Sequence, residues 1–419
     1  MKEISGRFEA LSAEQRALLE ARLKRRGLAP ATPTGPDVSQ QQSNSYAHPR
    51  TAPSQKESRT GPSQMKFGIY FFSDDGSSCE SDKYSLLLEC AKFADRNEFC
   101  AVWTPERHFQ KFGGLYPNPS VLGAALAVIT ERIAIRAGSV ALPLHHPVRV
   151  AEEWSIVDNL SRGRVAISFA SGWHPDDFIF APSSYETRKE VMYEGIEKIQ
   201  RLWAGEAVAF DGIAGQTNTV HIFPKPIQTS LPVWITTAGT PATWIKAGEI
   251  GANVLCALVG YALDELGDNI RAYRKARREH GHDPVQGKVA VMVHTYIAED
   301  DNAAKALVRA PMCHYLRNYF QQFQYVVQSA ERITEEDKMA IVSRAFDAYY
   351  DDSLLIGSPG KCGALVDRLI EAGADELACL VDFGLEFNSV MQGLERLVAF
   401  KQSYAQRDRP AAIPVRNES

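Results

Sequence analysis

From Met65 onward, short runs of apolar and β-branched residues alternate with longer stretches whose apolar positions recur every three or four residues. The short runs predict buried strands, and the longer stretches predict amphipathic helices. Each predicted strand is followed by helix-like sequence, and eight such repeats favour a (β/α)8 TIM barrel. The eight strands are predicted at residues 65–72, 100–104, 133–142, 164–171, 232–238, 252–258, 288–297 and 376–383.

A doubly wound sheet is the alternative fold for this alternation. Nucleotide binding by such a sheet is disfavoured, because no G-x-G-x-x-G follows the first strand and no G-x-x-x-x-G-K-[ST] occurs in the chain. Residues 299–355, after the seventh strand, contain two or three further helical patterns. Such an insertion would lie at the C-terminal face of a barrel, where active sites form. It could be a lid, a substrate-docking element, padding or a dimer contact.

The first 64 residues lack the alternation. Residues 11–27 place leucines on one helical face, with Ser12 and Gln15 at capping-box spacing and Gly27 as a stop signal. They predict a short helix, either a frayed extension or a docking helix for a partner protein. Residues 28–64 are rich in Pro, Ser, Thr and Gln, which predicts a flexible linker. The expected organisation is therefore 1–27, 28–64, a barrel domain over 65–405 and a C-terminal tail over 406–419.

Composition narrows the function. Of the 419 residues, 46 are Lys or Arg and 51 are Asp or Glu, giving a net charge of −5. This balance argues against a nucleic-acid binder. No run of apolar residues approaches the length of a membrane span, and the N-terminus lacks the apolar core of a signal peptide. The seven cysteines include no C-x-x-C pair, which fits reduced thiols in the cytoplasm and offers no zinc site.

Residues just past the strand ends are the candidates for chemistry. Glu106, Arg107 and His108 follow the second strand and bring together a carboxylate, a guanidinium and an imidazole. His108 could exchange a proton near neutral pH, and Arg107 could stabilise an anion. The alternative is a structural Glu106–Arg107 ion pair beside a packed histidine.

Three other segments suit a phosphorylated or aromatic ligand. Arg149 lies near the start of the helix after the third strand and could hold a phosphate. Trp173, after the fourth strand, could line one side of a pocket for an aromatic cofactor or pack in the core. Small residues after the fifth strand lead into a helix start that suits phosphate, at Ala238, Gly239, Thr240 and Thr243. Arg164 precedes the fourth strand, so by position it is a turn arginine. The HGHDP segment (280–284) is interpreted as a turn.

In order along the chain, these motifs resemble the bacterial luciferase-like flavin monooxygenases. The matching segments include VWTPERHFQKFGG, LPLHHPVRVAEEW, TTAGTPATWIKAGEIG and ELACLVDFG. The segments PERHF and ACLVDFG are most similar to sequences of the subfamily associated with non-ribosomal peptide and polyketide assembly lines. The LSAEQRALLEARLKRRG segment resembles linkers between modules of such synthetases.

The resemblance implies a (β/α)8 barrel with an insertion after strand seven, and reduced FMN with O2 as co-substrate. It places the flavin phosphate near Arg149, Arg164, Gly239, Thr240 and Thr243, and the flavin ring near Trp173 and the 138–140 segment around Ser139. In several relatives the matching strand contains a non-prolyl cis peptide bond, so Gly138–Ser139 or Ser139–Val140 is expected to be cis. The catalytic histidine of luciferase corresponds to Arg107, so Arg107 or His108 takes that role here.

The function implied is an FMNH2- and O2-dependent monooxygenase that works through a flavin C4a-(hydro)peroxide. Its substrate would be an aminoacyl or acyl intermediate on a carrier protein or synthetase module. A separate flavin reductase would supply the reduced flavin, since no dinucleotide fingerprint is present. A homodimer is also expected. The alternatives are a deazaflavin-dependent oxidoreductase on the same barrel and a non-catalytic flavin-binding scaffold.

Overall fold

The predicted strands form a closed parallel barrel. A computed structural model describes residues 65–72, 82–259, 262–322 and 335–407. In this part of the chain the strands are β1 (Lys66–Tyr70), β2 (Ala101–Thr104), β3 (Ala134–Ala141), β4 (Val165–Ala170), β5 (Val208–Asp211), β6 (Thr217–Val220), β7 (Val233–Thr237), β8 (Asn253–Ala257), β9 (Val289–Ile297), β10 (Leu355–Gly357) and β11 (Glu376–Leu380).

Ten helices surround the barrel within the same described residues. They are α1 (Ser85–Arg96), α2 (Pro119–Ile129), α3 (Pro147–Ser161), α4 (Arg188–Trp203), α5 (Pro241–Glu249), α6 (Leu263–Glu279), α7 (Asp301–Gln322), α8 (Glu335–Asp352), α9 (Pro359–Ala372) and α10 (Phe387–Arg407). None of the helices in the described ranges is long and apolar enough to cross a membrane.

The barrel order is β1-β2-β3-β4-β7-β8-β9-β11, closed by pairing of β11 with β1, and all of these pairings are parallel. The (β/α)8 barrel is therefore confirmed, and each predicted strand matches an observed one. The antiparallel β5–β6 hairpin and β10, which pairs with β9, were not predicted. Both consist of strands of three or four residues, too short for a clear pattern.

The barrel interior is filled rather than hollow. The guanidinium of Arg136 lies over the rings of Trp103 and Trp234, at 4.9 and 4.7 Å from their centroids. The same group is 2.6 Å from the carboxylate of Glu376, at the start of β11. This ion pair closes the N-terminal end of the barrel, because Glu376 is the first residue of its strand. Active sites of this architecture form at the opposite end, where the strands finish.

Helices that follow strands in this architecture begin at the C-terminal end of the barrel. Asn118 caps α2 by accepting from the amides of Ser120 and Val121, and Pro119 is the first helical residue. The long connection after β9 contains α7 and α8, which are joined by Arg309 and Asp347 at 2.8 Å. These two helices therefore occupy the predicted insertion.

Some sequence predictions fall outside the described residues. The N-terminal helix (1–27) and the linker (28–64) lie entirely there. The tail was expected from residue 406, whereas α10 continues to Arg407. The six cysteines in the described part of the chain are free thiols.

Candidate active site

Glu106 organises the mouth of the barrel on the side of β2. Its Oε1 accepts hydrogen bonds from Nε2 of His108 at 2.8 Å and from Nε2 of His145 at 2.6 Å. Its Oε2 accepts from the amide of Ala141 at 2.8 Å. The carboxylate is 1% exposed, so its charge is satisfied entirely by protein groups. Glu106 therefore positions the two histidines rather than meeting a ligand itself.

This arrangement fixes the tautomer of a neutral His108 ring. An ionised carboxylate only accepts hydrogen bonds, so Nε2 of each histidine carries the proton. Nδ1 of a neutral His108 is then the basic nitrogen. Burial acts to raise the pKa of Glu106, but the hydrogen bonds from His108, His145 and Ala141 outweigh it and hold the pKa below its ordinary value. Burial acts to lower the pKa of His145, but Glu106 raises it above its usual value.

Arg107 lies beside this pair in an aromatic setting. Its guanidinium carbon is 5.2 Å from the ring centroid of Phe72 and 5.5 Å from that of Trp173. Burial lowers the pKa of Arg107, and the nearby carboxylate of Asp177 opposes this shift. The predicted Glu106, Arg107 and His108 are thus brought together at the end of β2. Within this group, Glu106 is hydrogen-bonded to His108.

The end of β3 carries the expected backbone feature. The peptide bond between Gly138 and Ser139 is cis. The hydroxyl of Tyr70, on β1, donates to the carbonyl oxygen of Gly138. A Cβ atom on Gly138 would lie 2.9 Å from the Tyr70 ring and 3.1 Å from that of Trp103, so the strand approaches both rings closely. Burial raises the pKa of Tyr70, which keeps its hydroxyl protonated as a donor.

The start of α5 fits a phosphate group. Gly239 has a φ of 107°, a conformation that favours glycine, and its amide donates to Oγ1 of Thr237 at 3.3 Å. Thr240 is the N-terminal cap, and its carbonyl accepts from the amide of Thr243 at 2.9 Å. The positive end of the helix dipole, together with the hydroxyls of Thr240 and Thr243, suits an anion. Ala238 is exposed and Gly239 is half-buried in the turn that leads into this helix.

Two arginines expected at this phosphate are elsewhere. Arg164 lies at the start of β4, at the opposite end of the barrel, and its guanidinium donates to the carbonyls of Ser161, Ile133, Ala127 and Thr130. The flavin-phosphate role implied by the resemblance is wrong for Arg164. Its position as a turn arginine, inferred from the strand pattern, is correct.

Arg149 does begin α3 at the correct end of the barrel, but its side chain faces away from α5. Its Nε is 2.7 Å from Oε1 of Glu153, whose other oxygen accepts from Ser120 on α2. Arg149 is therefore on the α2 side of α3, with 70% of its side chain exposed. The structure does not bring it to the start of α5.

Arg188 is a cation that sequence reasoning missed. It is the first residue of α4, after β4, and shares a helical face with Met192 and Ile199, which are buried against the barrel. Its guanidinium donates to the carbonyl of Tyr185 at 2.6 Å and lies 4.5 Å from the ring of that residue. A positive group is thus held at the start of α4, the helix that follows β4. Its position at the N-terminus of the helix after β4 was the available signal.

Comparison with known proteins assigns the chain to a family. The sequence model described as luciferase-like monooxygenase matches residues 65–376. The oxygenase component of a flavin-dependent trigonelline monooxygenase from Acinetobacter baylyi is 25% identical over 82% of this chain and 98% of the relative.

Solved structures share the fold at lower identity. The oxygenating constituent of 3,6-diketocamphane monooxygenase from Pseudomonas putida, in complex with FMN, superimposes with a TM-score of 0.67 at 20% identity, over 81% of this chain and 98% of the other. An F420-dependent secondary alcohol dehydrogenase has a TM-score of 0.59 at 18% identity, over 80% of this chain and 99% of that one.

Proposed function

The chain belongs to the luciferase-like monooxygenase family, and on this basis we propose that it is an FMNH2- and O2-dependent monooxygenase. The observation that carries the proposal is the Glu106–His108 pair at the barrel mouth, 2.8 Å apart and beside the buried Arg107. A proton-transfer group and a cation thus lie together at the C-terminal end of the barrel, where active sites of this architecture form. These groups argue against a purely structural, non-catalytic barrel.

FMN fits the donor groups that the structure presents. The start of α5, at Gly239, Thr240 and Thr243, would hold the phosphate, with Arg188 supplying positive charge. The segment containing Ser139 and the partly exposed ring of Trp173 would border the flavin ring. When bound in reduced form, the flavin supplies the electrons that activate O2 for transfer of an oxygen atom to the substrate.

The protein's own residues manage protons and exclude water. Glu106 keeps Nε2 of His108 protonated, so Nδ1 can take a proton from the reacting group and return it. The guanidinium of Arg107 would stabilise negative charge that develops in the mouth. The rings of Phe72 and Trp173 cover this guanidinium, which limits water near the reacting atoms.

The substrate we propose is an aminoacyl or acyl group carried as a thioester on a carrier protein or synthetase module. Two features support this: the resemblance of PERHF and ACLVDFG to assembly-line relatives, and the linker-like segment at residues 11–27. A separate reductase would supply the reduced flavin, in line with the name oxygenase component of the Acinetobacter relative.

A second copy of the chain is the proposed partner of α2 and α3. These helices pack against each other and expose apolar side chains at helical spacing. Val121 and Val128 of α2 are 64% and 66% exposed, and Ile156 and Leu160 of α3 are 46% and 45% exposed. Analytical ultracentrifugation of the wild type and of an Ile156→Glu variant would test this homodimer. A monomeric wild type would reject it.

The experiment that tests the oxygenase proposal mixes the full-length protein and anaerobically reduced FMN with oxygenated buffer. Flavin absorbance is followed by stopped flow. We expect reoxidation kinetics that differ from those of free FMN and that respond to a carrier-bound aminoacyl thioester. Product mass should rise by one oxygen atom. Free-flavin kinetics under all conditions, together with no FMN binding, would contradict the proposal.

Two comparisons sharpen this test. The same aminoacyl group is offered on a carrier protein and as a small soluble thioester, to the full chain and to a variant lacking residues 1–64. Equal turnover of both thioesters by both proteins would reject the carrier-protein part alone. F420 is offered in parallel with FMN, because an F420-dependent enzyme shares the fold. Tight binding of F420 and weak binding of FMN would favour the deazaflavin alternative.

A further inference from the structure

His294 is a buried polar side chain that the chemistry above does not use. It lies near the C-terminal end of β9, paired in register with Leu380, which in turn pairs with Tyr70. Paired residues of parallel strands point to the same side of the sheet, so His294 points into the barrel like Tyr70. The imidazole is 2% exposed.

Both ring nitrogens of His294 are buried, and no described residue gives either one a hydrogen bond. A neutral imidazole always carries one N–H donor and one acceptor. Leaving such groups without partners costs free energy, so an orphaned pair calls for an explanation. Burial lowers the pKa of His294 to about 3, so the ring is neutral at physiological pH.

The surroundings of His294 are aromatic and belong to the mouth of the barrel. Its ring centroid is 4.6 Å from that of Tyr315 on α7 and 5.7 Å from that of Phe383, which follows β11. Tyr315 in turn contacts Phe112 at 5.0 Å and Phe72 at 6.5 Å, and Phe72 lies under the guanidinium of Arg107. A continuous aromatic wall thus leads from the proposed reaction centre to His294.

We propose that His294 is the specificity-determining residue of a substrate subsite, which holds an aromatic or large apolar group ending in a neutral amide or hydroxyl. The rings of Tyr315, Phe112 and Phe72 pack against the apolar part. The imidazole donates one hydrogen bond to the polar end and accepts another. An amide matches both functions at once, since it carries a donor and an acceptor. A carboxylate suits the subsite poorly, because the neutral ring brings no compensating charge. The inference rests on the proposed function, since the subsite serves that substrate.

The test uses phenylacetamide as the probe, with ethylbenzene as its apolar counterpart and phenylacetate as its charged one. Binding to the full-length protein loaded with FMN is measured by calorimetry. We expect the wild type to prefer phenylacetamide to both others, and His294→Phe to bind phenylacetamide about tenfold more weakly, as for loss of a buried hydrogen bond. Ethylbenzene should bind the variant no more weakly. His282→Phe, at a histidine in the turn after α6, should change neither affinity.

A stability measurement separates this role from a structural one. Without a probe, His294→Phe removes two orphaned polar atoms and should raise the unfolding midpoint, whereas loss of a structural histidine would lower it. His294→Gln is a second variant that guards against overpacking by Phe. Because Gln keeps a donor and an acceptor, this variant should retain most of the phenylacetamide affinity. In ¹⁵N-histidine spectra, the signals of His294 are identified by their absence from His294→Phe. In the wild type these signals should shift when phenylacetamide is added.

Three results would overturn the proposal. They are unchanged phenylacetamide binding in both His294 variants, tighter binding of phenylacetate than of phenylacetamide, and no probe binding by a wild type that binds FMN normally. Failure of the proposed function looks different, because the wild type would then not bind FMN at all.

Discussion

Nε2 of His108 lies 2.8 Å from Oε1 of Glu106, whose carboxylate is 1% exposed. The same oxygen also accepts from His145 at 2.6 Å. One buried carboxylate therefore sets the proton positions of two histidines contributed by the loops after β2 and β3. Four predictions follow from this mouth and its surroundings.

Glu106→Gln should destabilise the protein by an amount that depends on pH. The pKa of Glu106 is lowered in the folded protein, so its contribution is complete above the ordinary carboxyl value of 4.5 and is lost as the pH falls through the folded pKa. The pKa of His145 is raised, so its contribution is complete below 6.5 and is lost as the pH rises through the folded pKa. The unfolding free energy of the wild type should exceed that of Glu106→Gln most between pH 4.5 and pH 6.5.

The difference in unfolding free energy there should be on the order of 1.5–3 kcal/mol, as for hydrogen bonds to a charged group. Urea denaturation across the pH range measures it. The matched control is Glu89→Gln, in a surface pair with Lys92, which should change stability little at any pH. A pH-independent loss in Glu106→Gln would mean that shape rather than charge is responsible.

His108→Ala should slow oxygenation by about 10²–10⁴-fold, because a general acid–base group is removed from the mouth. The thioester oxygenated by the wild type serves as substrate, and product is counted by mass spectrometry. FMN affinity should be unchanged. The control is His282→Ala, at a histidine whose Nε2 is hydrogen-bonded to the carbonyl of Glu249. Wild-type turnover in His108→Ala would transfer the proton chemistry to Arg107 or another group.

Arg188→Ala should weaken FMN binding by on the order of 1.5–3 kcal/mol, since a charge-assisted contact to phosphate is lost. Arg149→Ala should leave it unchanged, because Arg149 is paired with Glu153 on the α2 side of α3. Riboflavin, which lacks the phosphate, is the ligand control, and its affinity should not respond to Arg188→Ala. Flavin fluorescence titration measures the affinities of both ligands for the wild type and the variants. Weaker FMN binding by Arg149→Ala, with unchanged binding by Arg188→Ala, would instead assign the phosphate contact to Arg149.

Gly138→Ala should cost about 1–3 kcal/mol of stability, as expected for overpacking. The added Cβ would lie 2.9 Å from the ring of Tyr70 and 3.1 Å from that of Trp103. Gly360→Ala is the matched control, because its nearest neighbour would be Oγ of Ser358 at 3.9 Å and alanine favours a helix. Thermal unfolding of both variants tests the contrast. Equal midpoints would show that the rings near Gly138 can move aside.

The sequence identified the barrel strands correctly because apolar periodicity is a local signal. Apolar periodicity located both ends of each barrel strand to within three residues. The cis bond at Gly138–Ser139 was expected from the resemblance and is present. The β5–β6 hairpin escaped notice because its strands are short and largely exposed.

The sequence by itself determined the alternation of strand and helix, and hence that the ends of eight strands would meet at one face. The barrel decided which side chains converge there, because hydrogen bonds between loops depend on their arrangement in space rather than on distance along the chain. Glu106 and His145 are 39 residues apart in the sequence, and folding brings Oε1 of Glu106 to 2.6 Å from Nε2 of His145. Arg164 was placed correctly by its strand position but not by resemblance. His294 looked like part of an apolar strand, and only its orientation into the barrel reveals two buried nitrogens without partners among the described residues.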